Sequence, residues 1–222
     1  MSKLWAVVPV KRIAAAKQRL SDVFAVELRQ ALALAMLKDV LTALAAVPAL
    51  AGIVVVTEDA RAAEIAESHR ALVWSDGADD GHTGAVACAA RRLARDGAAL
   101  LTVPADIPLV RPEDVSRLIA AHRFPRGFTI VPSRDERGSN AILCSPADAV
   151  TLAFGDDSFR PHLAASRAQG IEPQTIRLPR IALDIDRADD VTEFLAIPSR
   201  SRARALLDFH GVAARSFEEA QK

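Results

Sequence analysis

Tyrosine is absent from this sequence, tryptophan and cysteine occur twice each, and 28 basic residues are matched by 28 acidic ones. The missing charge excess argues against a chain-wide attraction to nucleic acid or an anionic membrane surface. The two cysteines, Cys88 and Cys144, lie in apolar runs with no CxxC or Cys/His spacing. They are expected to be buried, reduced thiols rather than metal ligands. No apolar stretch reaches membrane-spanning length before a charge interrupts it. The N-terminal residues enter a strand pattern at once, which is not the layout of a cleaved signal peptide, so the cytoplasm is the expected location. Aromatics make up only 5% of the chain while half of it is hydrophobic. The core must therefore be built from Ala, Val, Leu and Ile. With 222 residues and no repeat, low-complexity segment or linker, one large domain over 1–210 with a polar tail from 211 is expected.

What is present is an alternation of short β-rich runs and longer helical ones. Residues 4–10, 53–57, 71–75 and 98–103 read as buried strands. Residues 27–47, 60–68 and 83–95 read as the helices between them. Continuous apolar strands separated by helices predict a mostly parallel sheet covered on both faces, with right-handed crossovers. The second half departs from that rhythm. A helix is expected over 112–122, with Pro112 in its first turn followed by acids. Strands follow over 128–132 and 140–144, then a helix over 158–169 with Ser158 as N-cap and Gly170 as its stop. Strands over 174–178 and 181–185 and helices over 188–195 and 199–209 complete the reading. The fold class is α/β, three layers, with a mixed sheet.

Ligands of open α/β sheets bind beyond the carboxyl ends of the strands, and three loops there carry unusual polar residues. The first, residues 11–20, places Lys11, Arg12, Lys17 and Arg19 directly after the first strand. Lysine supplies point charge and arginine grips phosphate oxygens in pairs, so the cluster suits a polyphosphate. A solvated basic turn is the plain alternative. No GxxxxGK[ST] motif is present, which excludes a P-loop. The second loop holds Asp106 between Pro104 and Pro108 after the fourth strand. A carboxylate in a stiff turn can bind a hard cation, and Mg2+ takes only one or two protein carboxylates; the alternative is a turn aspartate. The third is Leu183-Asp184-Ile185-Asp186, where strand alternation would put both acids on one face. Two such charges repel unless a cation lies near, so Asp184 is a ligand candidate and Asp186 its neighbour. Asp189 and Asp190 suit the start of a helix.

Two further segments could take an anion: Gly138-Ser139-Asn140, leading into a strand, and residues 154–159, leading into a helix whose first N–H groups are free. His69, His122 and His210 have no partner spacing and are expected at the surface. No Ser/His/Asp order or nucleophile elbow occurs.

Taken together these segments resemble the CofC/FbiD guanylyltransferases. The likeness is carried by residues 8–12 and 16–20, Pro104-Ala105-Asp106-Ile107-Pro108-Leu109, Gly138-Ser139-Asn140-Ala141, Phe154-Gly155 with Ser158-Phe159 and His162, and residues 182–186. They fall in order over roughly residues 5–196. The resemblance implies a GT-A-like nucleotidyltransferase fold and transfer of GMP from GTP to a phosphorylated three-carbon acid, feeding synthesis of coenzyme F(420). It implies Mg2+ on Asp106 and Asp184, with Asp186 as a further candidate. Lys17 joins the two acids as a catalytic candidate. Pro9, Lys11, Arg12, Lys17, Arg19 and Thr83 form the nucleotide side, and Ser139, Gly155 and Ser158 an acceptor pocket for phosphate and carboxylate. The expected partners are GTP and the phospho-acid, with neither nucleic acid nor membrane, and a homodimer is left open. The chain departs from the family at Gly81-His82-Thr83, where Gly-Leu-Asn is usual. It also carries Asp156 and Asp157 beside the proposed anion pocket. A cytidylyltransferase or molybdenum-cofactor enzyme of the same fold, and a non-catalytic nucleotide-binding domain, are the alternatives.

Overall fold

The computed structural model describes residues 3–212, so most of the polar tail lies outside the described residues. Strand β1 (Leu4–Pro9) is followed by α1 (Val26–Ala45), β2 (Gly52–Val56), α2 (Ala60–Ser68), β3 (Leu72–Trp74), α3 (Gly81–Arg95) and β4 (Ala99–Thr102). Then come α4 (Pro112–Ala121), β5 (Gly127–Pro132), β6 (Ser139–Ser145), α5 (Phe159–Ala168), β7 (Gln174–Thr175), α6 (Pro179–Ala182), α7 (Ala188–Ala196) and α8 (Arg202–Phe209). The strands form one sheet in the order β3-β2-β1-β4-β6-β5-β7. β1, β2, β3 and β4 are parallel, β6 runs antiparallel to both β4 and β5, and β7 is parallel to β5.

Alternation along each central strand divides the core into two layers. Ala6, Val8, Ile53, Val55 and Leu101 point into one cluster with α1, α2 and α4. Val7, Val54, Val56, Leu100 and Ile142 point into the other, against α3 and α5. With both faces buried, the strands read as unbroken apolar runs. A third cluster, including Leu20, Met36, Val191, Phe194 and Leu207, joins the first loop to α1, α7 and α8. Among the described residues no helix is long and apolar enough to cross a membrane.

The sheet departs from expectation in its late strands. Only Gln174–Thr175 of the segment 174–178 pairs. The segment 181–185 is not a strand: Pro179 and Ile181 belong to the single turn of α6, and residues 183–186 run without ladder partners. Proline fixes φ for a helical first turn and brings no N–H to a ladder. The segment is instead tied by its own loop contacts, which matter for the site.

Candidate active site

The strand order turns at β1. From it the chain proceeds to β2 and β3 on one side, and β4 lies on the other. The loops leaving β1 and β4 therefore separate at a switch point, where a crevice opens. The loop after β1 is pinned by buried Ile13 and Leu20, each within a 3-10 turn. Between them Lys17 takes a left-handed backbone (φ 53°, ψ 43°), a conformation costing a side-chain-bearing residue about 1–2 kcal/mol. It turns the side chain inward. The Lys17 side chain is 8% exposed, and its Nζ donates to Asp106 Oδ2 at 2.6 Å and Asp186 Oδ1 at 2.8 Å. Burial alone would lower the lysine pKa; attraction to Asp106 and then Asp186 overrides it and holds the ammonium above its ordinary range.

Asp106 sits in the turn after β4, and its carbonyl accepts the Ile185 N–H at 3.1 Å. Asn140, buried at the start of β6, donates through Nδ2 to the Ile181 carbonyl at 3.0 Å and to Asp184 Oδ1 at 2.9 Å. The Arg134 N–H donates to the Ala182 carbonyl at 3.0 Å. These bonds replace the missing ladder and bring three acids, 78 and 80 residues apart in sequence, to one place beside Lys17. Burial first, then the Asp106 and Asp186 charges, push the Asp184 carboxyl up to about 6, against the Asn140 hydrogen bond. Asp106 Oδ1 is buried with no hydrogen-bond partner. An unpartnered buried carboxylate oxygen beside a carboxyl strained by like charges fits a hard divalent cation on Asp106 and Asp184.

Asp186, the neighbour of Asp184 and a further ligand candidate, meets two cations of the first loop. Its Oδ1 receives Lys17, and its Oδ2 lies 3.6 Å from Arg19 Nη1. With both oxygens facing cations, Asp186 holds Lys17 beside the other two acids.

The three acids open onto a cleft of about 610 Å³. Lys11 and Arg19 line it on one side, and Ser139, Gly155 and Ser158 on another. Arg12 is not among its walls: it reaches outward to Glu58 at 2.9 Å and Asp79 at 3.2 Å, bridging the loops after β1, β2 and β3. Pro9 closes β1 opposite Val56. Thr83, expected on the nucleotide side, is not among the cleft walls, and its hydroxyl bonds the loop before α5. Its Oγ1 accepts the Phe154 N–H at 2.9 Å and donates to the Phe154 carbonyl at 3.4 Å, clamping the loop before α5. Ser158 does not cap α5 through its side chain. Its Oγ donates to Ser139 Oγ at 3.2 Å. Each of the two acids in this loop is paired with an arginine, Asp156 with Arg19 and Asp157 with Arg137, and Asp156 itself lines the cleft.

Several cleft residues had no legible signal beforehand. His82 stacks on Phe154 with ring centroids 4.2 Å apart, and burial holds it at a pKa of about 4; its only trace in the sequence was the departure at Gly81-His82-Thr83. Asn140 was read as a strand entry, yet it anchors Asp184. His122 is not at the surface but buried, bonded to Thr129 at 2.9 Å and Ser145 at 2.7 Å. Cys88 is half-buried rather than buried, while Cys144 is buried and both are free thiols.

A switch-point cleft holding a basic loop, a lysine and two cation-ready carboxylates, on a three-layer mixed sheet, is the architecture of α/β nucleotidyltransferases. A solved structure from Desulfovibrio desulfuricans G20, described as a nucleotide-diphospho-sugar transferase, superposes with a TM-score of 0.78 at 20% identity, over 98% of this chain and 99% of that one. The chain belongs to the CofC-like guanylyl transferase family, whose model matches residues 4–220. It is 36% identical to a phosphoenolpyruvate guanylyltransferase of Roseiflexus castenholzii over 91% of this chain and 93% of the relative. It is also 36% identical to a protein of the same name from Nocardia farcinica, over 98% and 96%.

Proposed function

We propose that this protein transfers GMP from GTP to a small phosphorylated three-carbon acid, with release of pyrophosphate, in coenzyme F(420) biosynthesis. The observation that carries the reading is the meeting of Asp106, Asp184 and Lys17 between the basic loop and the serine-lined pocket. Of phosphoenolpyruvate, 3-phospho-D-glycerate and 2-phospho-L-lactate, the first is favoured by the names of the relatives.

Asp106 and Asp184 would hold Mg2+, which when bound neutralises phosphate charge. Lys17 fixes Asp106 against Asp186 and keeps the acids from splaying apart. Lys11 and Arg19 face the leaving pyrophosphate, whose charge grows as the α-phosphorus is attacked. Ser139, Ser158 and the open space beside Gly155 receive the acid. The acceptor phosphate is already ionised near neutral pH, so no strong general base is required, and positioning carries much of the rate.

The test is purified protein with Mg2+, each of the four NTPs and each acid in turn, with pyrophosphate release and product mass as readouts. A GMP adduct of one acid is expected. A CMP adduct, or no adduct with any pair, would refute the reading.

A further inference from the structure

The acceptor side of the cleft contains a buried histidine that the mechanism above does not use. His162 is 1% exposed in α5. Its Nε2 lies 2.9 Å from the Ala153 N–H and its Nδ1 lies 2.9 Å from Ser139 Oγ. A backbone N–H can only donate, so Nε2 must carry the lone pair. The neutral ring then has its proton on Nδ1, and Nδ1–H donates to Ser139. Burial, then the nearby His82, hold the ring at a pKa of about 4, so it stays neutral at ordinary pH.

The consequence falls on Ser139. A serine hydroxyl has two lone pairs and one proton. Ser139 Oγ receives His162 Nδ1–H on one side and the Ser158 hydroxyl on the other, at 3.2 Å. Both acceptor positions are filled, and the hydroxyl proton is left for the cleft that Ser139 lines. In the opposite tautomer the Ser139 proton would be consumed by the ring. We propose that His162 is a positioning residue that fixes Ser139 as a hydrogen-bond donor to an anionic oxygen of the phosphorylated acid. This rests on the acceptor pocket assigned under the proposed function.

Two substitutions separate the ring's two bonds. His162→Gln places its amide near the Nε2 position, where it can still accept the Ala153 N–H but cannot reach Ser139. His162→Asn places its amide near Nδ1 and can still donate to Ser139. The KM for phosphoenolpyruvate should rise about ten-fold in Ser139→Ala and His162→Gln, with the KM for GTP within about two-fold of wild type, as expected when one hydrogen bond to a charged group is lost. His162→Asn should stay close to wild type. The double variant Ser139→Ala/His162→Gln should be no worse than Ser139→Ala alone, because both changes remove the same bond. Additive losses, an equal rise in both KM values, or failure of Asn to rescue while Gln does would overturn the proposal. The imidazole 15N shifts of His162 give a reading independent of turnover: a protonated Nδ1 is expected, and a protonated Nε2 overturns the assignment. A wild type inactive with every acid refutes the proposed function instead, and the tautomer measurement still decides the hydrogen-bond polarity.

Discussion

At the scale of single residues the site is a problem of charge. Asp106 keeps one carboxylate oxygen buried and unpartnered, a state that costs a folded protein roughly 1–3 kcal/mol or more. The proposed cation would supply the missing partner. Asp106→Asn removes a ligand charge while keeping the shape. Its kcat should fall roughly a thousand-fold or more, on the scale of losing a principal electrostatic stabiliser, with an unchanged circular dichroism spectrum. If Asp106 and Asp184 hold Mg2+ as proposed, Mg2+ should raise the wild-type Tm, because a ligand of the folded state alone stabilises it; that rise should vanish in Asp106→Asn. Wild-type pyrophosphate release by the variant would remove Asp106 from the chemistry. The basic loop was legible as a cluster, but its division of labour was not. Lys11, Arg12, Lys17 and Arg19 look alike in sequence, yet one is buried against two acids and another bridges outward to Glu58 and Asp79. Only the left-handed turn at Lys17 separates them.

At the scale of elements, α8 is held by a cap borrowed from another helix. Asp39 of α1 accepts the Arg202 N–H at 2.8 Å and the Ala203 N–H at 2.9 Å, 163 and 164 residues away. Burial raises its pKa against these bonds, and Ser201 adds a local cap through the Arg204 N–H. Asp39→Ala should destabilise the protein by about 1–2 kcal/mol in urea unfolding, as expected for losing a helix cap. Asp39→Asn, which keeps an acceptor, should lose less. The junction of α4, β5 and β6 gives a pH signature. Burial lowers the His122 pKa from 6.5 to about 4, so between those values the unfolded chain binds more protons than the native one. Stability from this group is complete above 6.5 and is lost as pH falls toward 4, by about 3 kcal/mol over the window. The stability difference between wild type and His122→Gln should therefore shrink as pH is lowered from 7 to 4. A difference that does not change with pH would contradict the buried neutral ring. The sequence offered no warning of this histidine, because its partners Thr129 and Ser145 lie on strands that only the fold brings to it.

At the scale of the whole molecule, 28 basic and 28 acidic residues leave no net repulsion between copies near neutral pH. Solubility should pass through a minimum close to pH 7 and rise at pH 9, measurable by precipitation with a neutral polymer. The same balance leaves the cleft to rely on local fields. Its cations come from the loop after β1 (Lys11, Arg19), the β5–β6 turn (Arg134, Arg137) and Arg187, and they are interleaved with acids of the same and neighbouring loops.

The architecture followed from the sequence because hydrophobic periodicity is local. The unbroken apolar runs of β1, β2 and β4, and the helices between them, stand within a residue or two of the expected bounds, and the parallel first half with a mixed second half was readable from them. Residues 181–185 were misread as a strand because apolar and acidic residues alternate there, while Pro179 and the bonds from Asn140 and Asp106 decide otherwise. The acids themselves could be named, since carboxylates at strand ends are visible one segment at a time. Which of them retains a free oxygen, which grips Lys17, and which proton His162 carries are properties of contacts between residues far apart in the chain. Such contacts exist only after the sheet has brought the loops together, because hydrogen-bond polarity and charge compensation depend on distances of a few ångströms that no sequence spacing encodes.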